Sequence, residues 1–145
     1  MDRPSEAPGP VLGLDLGDAR IGVALSDPRR TVAFPLGTVK TGSPPGELRA
    51  IADLVVEHGV TTVVVGLPVS MSGERGSRAQ QATAFARALA DAVAVPVEMQ
   101  DERLSTVEAE RRLRSSGVSA RRGRAVVDQA AAAVILQAWL DTRPS

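Results

Sequence analysis

The chain of 145 residues contains no cysteine and no tyrosine, and only two phenylalanines, one tryptophan and one histidine. Without cysteine there can be no disulfide, zinc–thiolate site or thiol nucleophile, an absence that suits a reducing compartment, and a cytoplasmic location is the expectation. So few aromatic rings leave little for the stacking platforms on which single-strand binders hold bases. Any nucleic acid the protein meets is therefore expected to be recognised through backbone and shape. No apolar run approaches the roughly 18 residues of a membrane span, and the N-terminus MDRPSEAPGP lacks a positive start followed by an apolar segment. Neither export nor a membrane partner is expected. The 17 basic residues balance 17 acidic ones, and their arginine-rich, lysine-poor usage carries no functional weight by itself.

What is present reads as one layered domain. The length allows a single core, and 43% hydrophobic with 23% charged residues is ordinary for a globular protein. Residues 1–10 are polar and proline-rich without periodicity and are expected to be a disordered tail, with a single domain over 11–142. VLGLDL and RIGVALS read as two strands around the short turn GDA, and TVAFPLGTV as a third, an antiparallel meander. A helix over SPPGELRAIADLVVEHG follows, with Leu48, Ile51, Ala52 and Val55 at helical spacing, Gly59 as its stop and His58 as an end-of-helix residue. TTVVVGLP is a β-branched run of the kind buried on both sheet faces. ERGSRAQQATAFARALADAV is helical, VPVEMQ a fifth strand, STVEAERRLRSSG a helix opened by Ser105 and Glu108 in capping-box spacing, and RAVVDQAAAAVILQAWLD the last helix. This order predicts an α/β fold: a five-stranded mixed sheet, a three-strand meander then parallel strands, with helices on both faces.

Three places put a carboxylate where a packed core would not choose one. Asp15 shares strand parity with Val11 and Gly13. Asp101 and Glu102 stand together where the fifth strand ends. Asp128 shares a helical face with Ala131, Ala132, Ile135 and Trp139. A buried carboxylate needs a cation, hydrogen bonds or a metal ion, and each acid taken singly could be a capped turn or an arginine's partner. Taken together, an acid from the first strand, one from a strand end and one from the last helix can converge. Oxygen donors without histidine or cysteine favour hard cations such as Mg²⁺ or Mn²⁺. A pair of such ions about 3.5–4 Å apart activates water and stabilises the leaving oxygen of a phosphodiester, which is nuclease chemistry.

In order along the chain, GLDLGDARIGVALSD, VVVGLPVSMSGERG, DERLST and VVDQAAAAVILQAWLD resemble the motif series of the YqgF family, the RuvX-type Holliday junction resolvases and pre-ribosomal-RNA nucleases. The resemblance runs from about Val11 to Asp141. It implies a ribonuclease H-like fold and a metal-dependent nuclease acting on structured nucleic acid, precursor 16S ribosomal RNA or junction-like branched DNA, in which Asp15, Glu102 and Asp128 are the catalytic, metal-holding acids. Spacing alone does not choose between Asp101 and Glu102; the family pattern favours Glu102. One departure is that the segment before Asp128, usually lysine-rich in the family, is here SARRGRAVV, with its charge kept.

The neutral total hides a segregation of charge. Between Arg103 and Arg124 the chain carries seven arginines against Glu108 and Glu110, a net +5 that leaves −5 for the remainder. Arg103 and the cluster Arg121, Arg122 and Arg124 are read as phosphate-backbone contacts, next in sequence to two of the candidate acids. Arg111 and Arg112 fit internal Glu–Arg pairs on a solvated helix equally well. GLPVSMSGERG is a strand-to-helix loop that could hold a phosphate at a helix N-terminus, but it lacks the Walker lysine pattern. An actin-type phosphotransferase would need a second domain and a second Asp-x-Gly loop, neither of which is present. The remaining alternative is a non-catalytic RNA- or ribosome-binding module of the same fold, against which the three acids argue.

Overall fold

Alternating side chains divide the protein into two apolar layers with a sheet between them. The structure, a computed structural model, describes residues 7–17, 20–41, 44–67, 76–101 and 120–142, with side chains at all of these except 44–45, 76–78 and 120–129. The described elements are β1 (Val11–Leu16), β2 (Arg20–Ser26), β3 (Ala33–Lys40), α1 (Pro44–His58), β4 (Thr62–Leu67), α2 (Gly76–Ala92), β5 (Val97–Asp101) and α3 (Ala120–Asp141). The sheet order is β3-β2-β1-β4-β5, with the first three strands antiparallel and β4 and β5 parallel to β1. This is the mixed sheet expected from the element order. The helix expected over 105–117 lies outside the described residues, as do residues 1–6 of the expected tail. Pro8 to Pro10, within that stretch, are bonded to the body: Gly9 N–H donates to the Pro28 carbonyl and Thr61 N–H to the Pro10 carbonyl.

On one face, Leu12, Leu14, Ile21, Val23, Val63 and Val65 pack with Ile51 and Val55 of α1 and Ala86 and Leu89 of α2. On the other, Val11, Ala24 and Val64 meet Ala131, Ala132, Ile135, Leu136, Trp139 and Leu140 of α3. Burying each such large side chain contributes about 1.5–3 kcal/mol. The stop of α1 is local: Gly59 takes a left-handed φ of 63°, and Val60 N–H reaches back to the Val55 carbonyl. His58 ends the helix beside Glu57 at 3.8 Å. At the sheet edge β3 carries Pro35 opposite Ala24, beside a register shift between Val23 and Ala24 that leaves Leu36 as the extra residue. Among the described residues no helix is long and apolar enough to cross a membrane.

At the start of β1 the layers are tied by polar groups. Arg30, at a left-handed φ of 63°, donates from Nε to the Gly9 carbonyl and from Nη2 to Thr61 Oγ1, and stacks over the Trp139 ring at 5.7 Å. Trp139 Nε1 donates to Glu98 Oε1 on β5. The loop before β3 is folded on Asp27, whose carboxylate accepts from Thr31 N–H, Thr31 Oγ1 and Val32 N–H. Burial pushes that carboxyl up, but these hydrogen bonds outweigh it and hold it below its ordinary value.

Gly13 sets how closely α3 seats on β1: a Cβ there would lie 2.8 Å from Leu136 Cβ and 3.3 Å from the Ala132 carbonyl oxygen. Neither is the end of a flexible side chain, so a methyl must lift the helix. Gly13→Ala is expected to lower stability in urea titration by about 1–3 kcal/mol, the usual cost of overpacking. Gly37→Ala, on β3 with nothing within 4 Å of the added methyl, should be neutral or slightly stabilising in the same titration.

Candidate active site

The site is built outward from Asp15, which is 0% exposed. On β1 the residues Leu12, Leu14 and Leu16 turn to the α1–α2 layer, so Val11, Gly13 and Asp15 turn to α3. Across the sheet Asp15 stands opposite Gly22 of β2, which stands opposite Thr38 of β3. On the other side, one step beyond the Leu14–Val65 pair, the neighbour of Asp15 is Gly66 of β4, itself opposite Gln100 of β5. The row therefore reads Thr38, Gly22, Asp15, Gly66, Gln100. The carboxylate has a position without a side chain on each side.

α3 brings a second acid to the same level. Its C-terminal end lies at the start of β1, where Trp139 meets Arg30, and Ala132 and Leu136 lie against Gly13. The helix thus runs antiparallel to β1. Position 128 is one turn, about 5.4 Å, beyond Ala132 on the same face, and Asp15 is about 6.8 Å beyond Gly13 along the strand. The backbone therefore carries position 128 level with Asp15; the Asp128 side chain is outside the described set.

Pleating separates the two acids at the end of β5. Asp101 is opposite Leu67 and two residues from Met99, on the α1–α2 face, and so away from Asp15. The register thus does not turn Asp101 toward Asp15, and Glu102 lies outside the described residues. Arg103 is likewise outside them. Arg121, Arg122 and Arg124 fall on the first turns of α3, before position 128. The loop after β4, read as a possible phosphate site, is outside the described set from 68 to 75.

Among the described residues no three His, Cys, Asp or Glu side chains gather to hold a metal ion; two of the three candidate acids are not described there. The donor chemistry nevertheless fits a hard divalent cation. The candidates are all carboxylates, and the chain's one imidazole, His58, is on α1 in the layer across the sheet.

Gln100 is a buried polar residue on the sheet face of Asp15 that sequence reasoning missed. It is 6% exposed, shares the sheet face of Asp15 and Glu98, and lies two strands from Asp15, about 10 Å between Cα atoms. Its Nε2 has no hydrogen-bond partner among the described residues. Its sequence signal is only its parity with Asp15, one residue before the acids. A buried donor without an acceptor costs about 1–3 kcal/mol. Gln100→Met, similar in volume and without the donor, is therefore expected to raise the apo melting temperature by a few degrees. A lower melting temperature would show that Gln100 is satisfied in the folded protein.

The comparisons agree with this architecture. Residues 9–142 match the family profile described as RuvX, Holliday junction resolvase. A relative from Anaeromyxobacter sp. (strain Fw109-5), provisionally named a pre-16S rRNA nuclease, is 55% identical over 132 residues, covering 91% of this chain and 96% of that protein. Another from Mycobacterium leprae (strain Br4923), with the same provisional name, is 54% identical over 134 residues, covering 92% and 73%. Among solved structures, T. thermophilus RuvC in complex with a Holliday junction substrate matches with a TM-score of 0.55 at 15% identity, over 90% of this chain and 93% of that one. That likeness is one of fold, and it is the ribonuclease H-like fold that the motif series implies. With one family's pattern spanning residues 9–142 on this sheet, the chain belongs to the RuvX family, the Holliday junction resolvases.

Proposed function

We propose that this nuclease hydrolyses phosphodiester bonds in structured nucleic acid, with Asp15, Glu102 and Asp128 as the catalytic carboxylates that hold Mg²⁺ or Mn²⁺. The observation that carries the reading is the placement of Asp15: fully buried, flanked by glycine positions, and level with position 128 of the helix packed over it. The relatives' names point to precursor 16S ribosomal RNA and the family description to a four-way DNA junction. Both present the same reacting group.

When bound, divalent ions supply Lewis-acid charge to a phosphate and acidify an attacking water. The chain's own part is to prepare the place. Asp15 is fixed by a central strand rather than a loop, so its carboxylate is pre-oriented. Burial strengthens every electrostatic interaction it makes. Gly22 and Gly66 place no side chain beside it on the neighbouring strands. α3 seals the apolar layer behind it from water, and Arg103, Arg121, Arg122 and Arg124 supply phosphate contacts within the net +5 segment.

Asp15→Asn, Glu102→Gln and Asp128→Asn are each expected to reduce Mn²⁺-dependent cleavage by roughly a hundredfold or more. The assay is a panel of junction DNA, single-stranded DNA and structured RNA with Mg²⁺, Mn²⁺ or EDTA. Because a metal that binds only the folded state stabilises it, millimolar Mn²⁺ should raise the melting temperature of the wild type and not that of Asp15→Asn. Full activity in Asp15→Asn would overturn the assignment, and binding without cleavage by the wild type would favour the non-catalytic module. Replacing Arg121, Arg122 and Arg124 together by alanine should weaken binding alike across sequences. The slope of log affinity against log salt should fall by about 2 to 3; an unchanged slope would place those arginines on a merely solvated face.

A further inference from the structure

The sheet itself carries cations on the face of Asp15, outside the basic segment. The register of β2 and β3 sets Arg20 directly opposite Lys40, two residues along from the Gly22–Thr38 pair, and Gly22 is opposite Asp15. Ile21 and Val39, the pair between, belong to the α1–α2 layer, so Arg20, Gly22, Thr38 and Lys40 are all on the α3 side. α3 covers that side lower down, where Ala24 is fully buried, but Thr38 and Lys40 are exposed and Arg20 half-buried. The β3 edge of this face is exposed, while toward the centre of the sheet Gly22 is buried and Asp15 fully so.

Like charges set directly opposite across two antiparallel strands work against sheet stability. Lys40 is therefore poorly explained as a sheet-holding residue, while Arg20 is also engaged within the protein. An anion shared by the two converts their opposition into attraction. Beside them the exposed Thr38 offers a hydroxyl donor. A sugar-phosphate backbone has the matching chemistry: it is anionic at every nucleotide, accepts hydrogen bonds, and needs no aromatic platform.

We propose that Lys40, with Arg20 and Thr38, forms a docking track for the phosphate backbone of the nucleic-acid substrate along the β3 edge, on the sheet face of Asp15. The inference rests on the nuclease reading for the identity of its occupant. Binding of a labelled four-way DNA junction and of a structured RNA is measured in EDTA over a salt series, so that it is read apart from cleavage. Lys40→Glu is expected to weaken binding of both about tenfold and to reduce the salt slope by about 1, with a smaller loss for Thr38→Val. Arg87→Ala, an exposed arginine on α2 across the sheet, should leave affinity and slope unchanged.

A second measurement uses the fact that Lys40 is the chain's one lysine: saturating nucleic acid should slow its acylation by an amine-reactive ester, read by mass spectrometry. Unchanged affinity and slope in Lys40→Glu, equal effects from Arg87→Ala, undiminished acylation, or no binding by the wild type would each overturn the track. Failure of the nuclease reading looks different, since Lys40-dependent binding without Mn²⁺-dependent cleavage sinks that reading and leaves the track standing.

Discussion

The missing side chain at Gly13 governs the arrangement of everything on the α3 side of the sheet. Close seating of a helix on a strand normally stops where side chains meet. Here the Ala132 carbonyl and Leu136 Cβ come so near β1 that even a methyl would collide. Because the helix is rigid, that one approach fixes the height of every residue along it: Trp139 against Arg30 at one end, and position 128 level with Asp15 toward the other. Carboxylates that are to share a metal tolerate misplacement of only a fraction of an ångström. A packing detail two residues before the acid thus becomes a condition on the chemistry.

The two ends of the sheet spend their polar groups differently. At the start of β1, Arg30, Thr61, Glu98 and Trp139 satisfy one another and clamp α3 to β5. At the strand-carboxyl end lie buried Asp15, the side-chain-free positions of Gly22 and Gly66, and Gln100 with a donor unmatched among the described residues. Glu98 and Gln100 are neighbours on one face of one strand, and among the described residues Glu98 is bonded to α3 through Trp139 while Gln100 Nε2 has no partner.

Much of this was legible in the sequence, for reasons that differ from element to element. β1 and β2 could be read to the residue because the alternation is strict on both sides of a glycine turn, and the same strictness made Asp15 conspicuous. β3 begins two residues later than TVAFPLGTV suggests, because residues 27–32 are folded on Asp27 rather than extended. The buried stripe of α3 was legible from its spacing, whereas its start at Ala120 was not, since the charged run ARRGR carries no apolar period. The direction in which Asp101 turns needed the pairing register, because adjacent residues on a strand differ only in the face they take. Arg30 was illegible locally, because its partners come from the chain before β1, from Thr61 and from Trp139 of α3.

A protein of zero net charge can bind a polyanion only by segregating its charges, and here the segregation also selects an orientation. The segment between Arg103 and Arg124 is +5 and the remainder −5, so the chain outside that segment on balance repels a polyanion, over a range screened to about 10 Å. The few local cations outside the segment gain weight from where they stand, and Arg20 and Lys40 stand on the face of Asp15. If, as proposed, backbone contacts come both from the arginines before position 128 and from the β3 edge, selectivity follows from whether a substrate's shape allows both to be engaged at once, and not from the identity of its bases, which a chain with three aromatic side chains is poorly equipped to read.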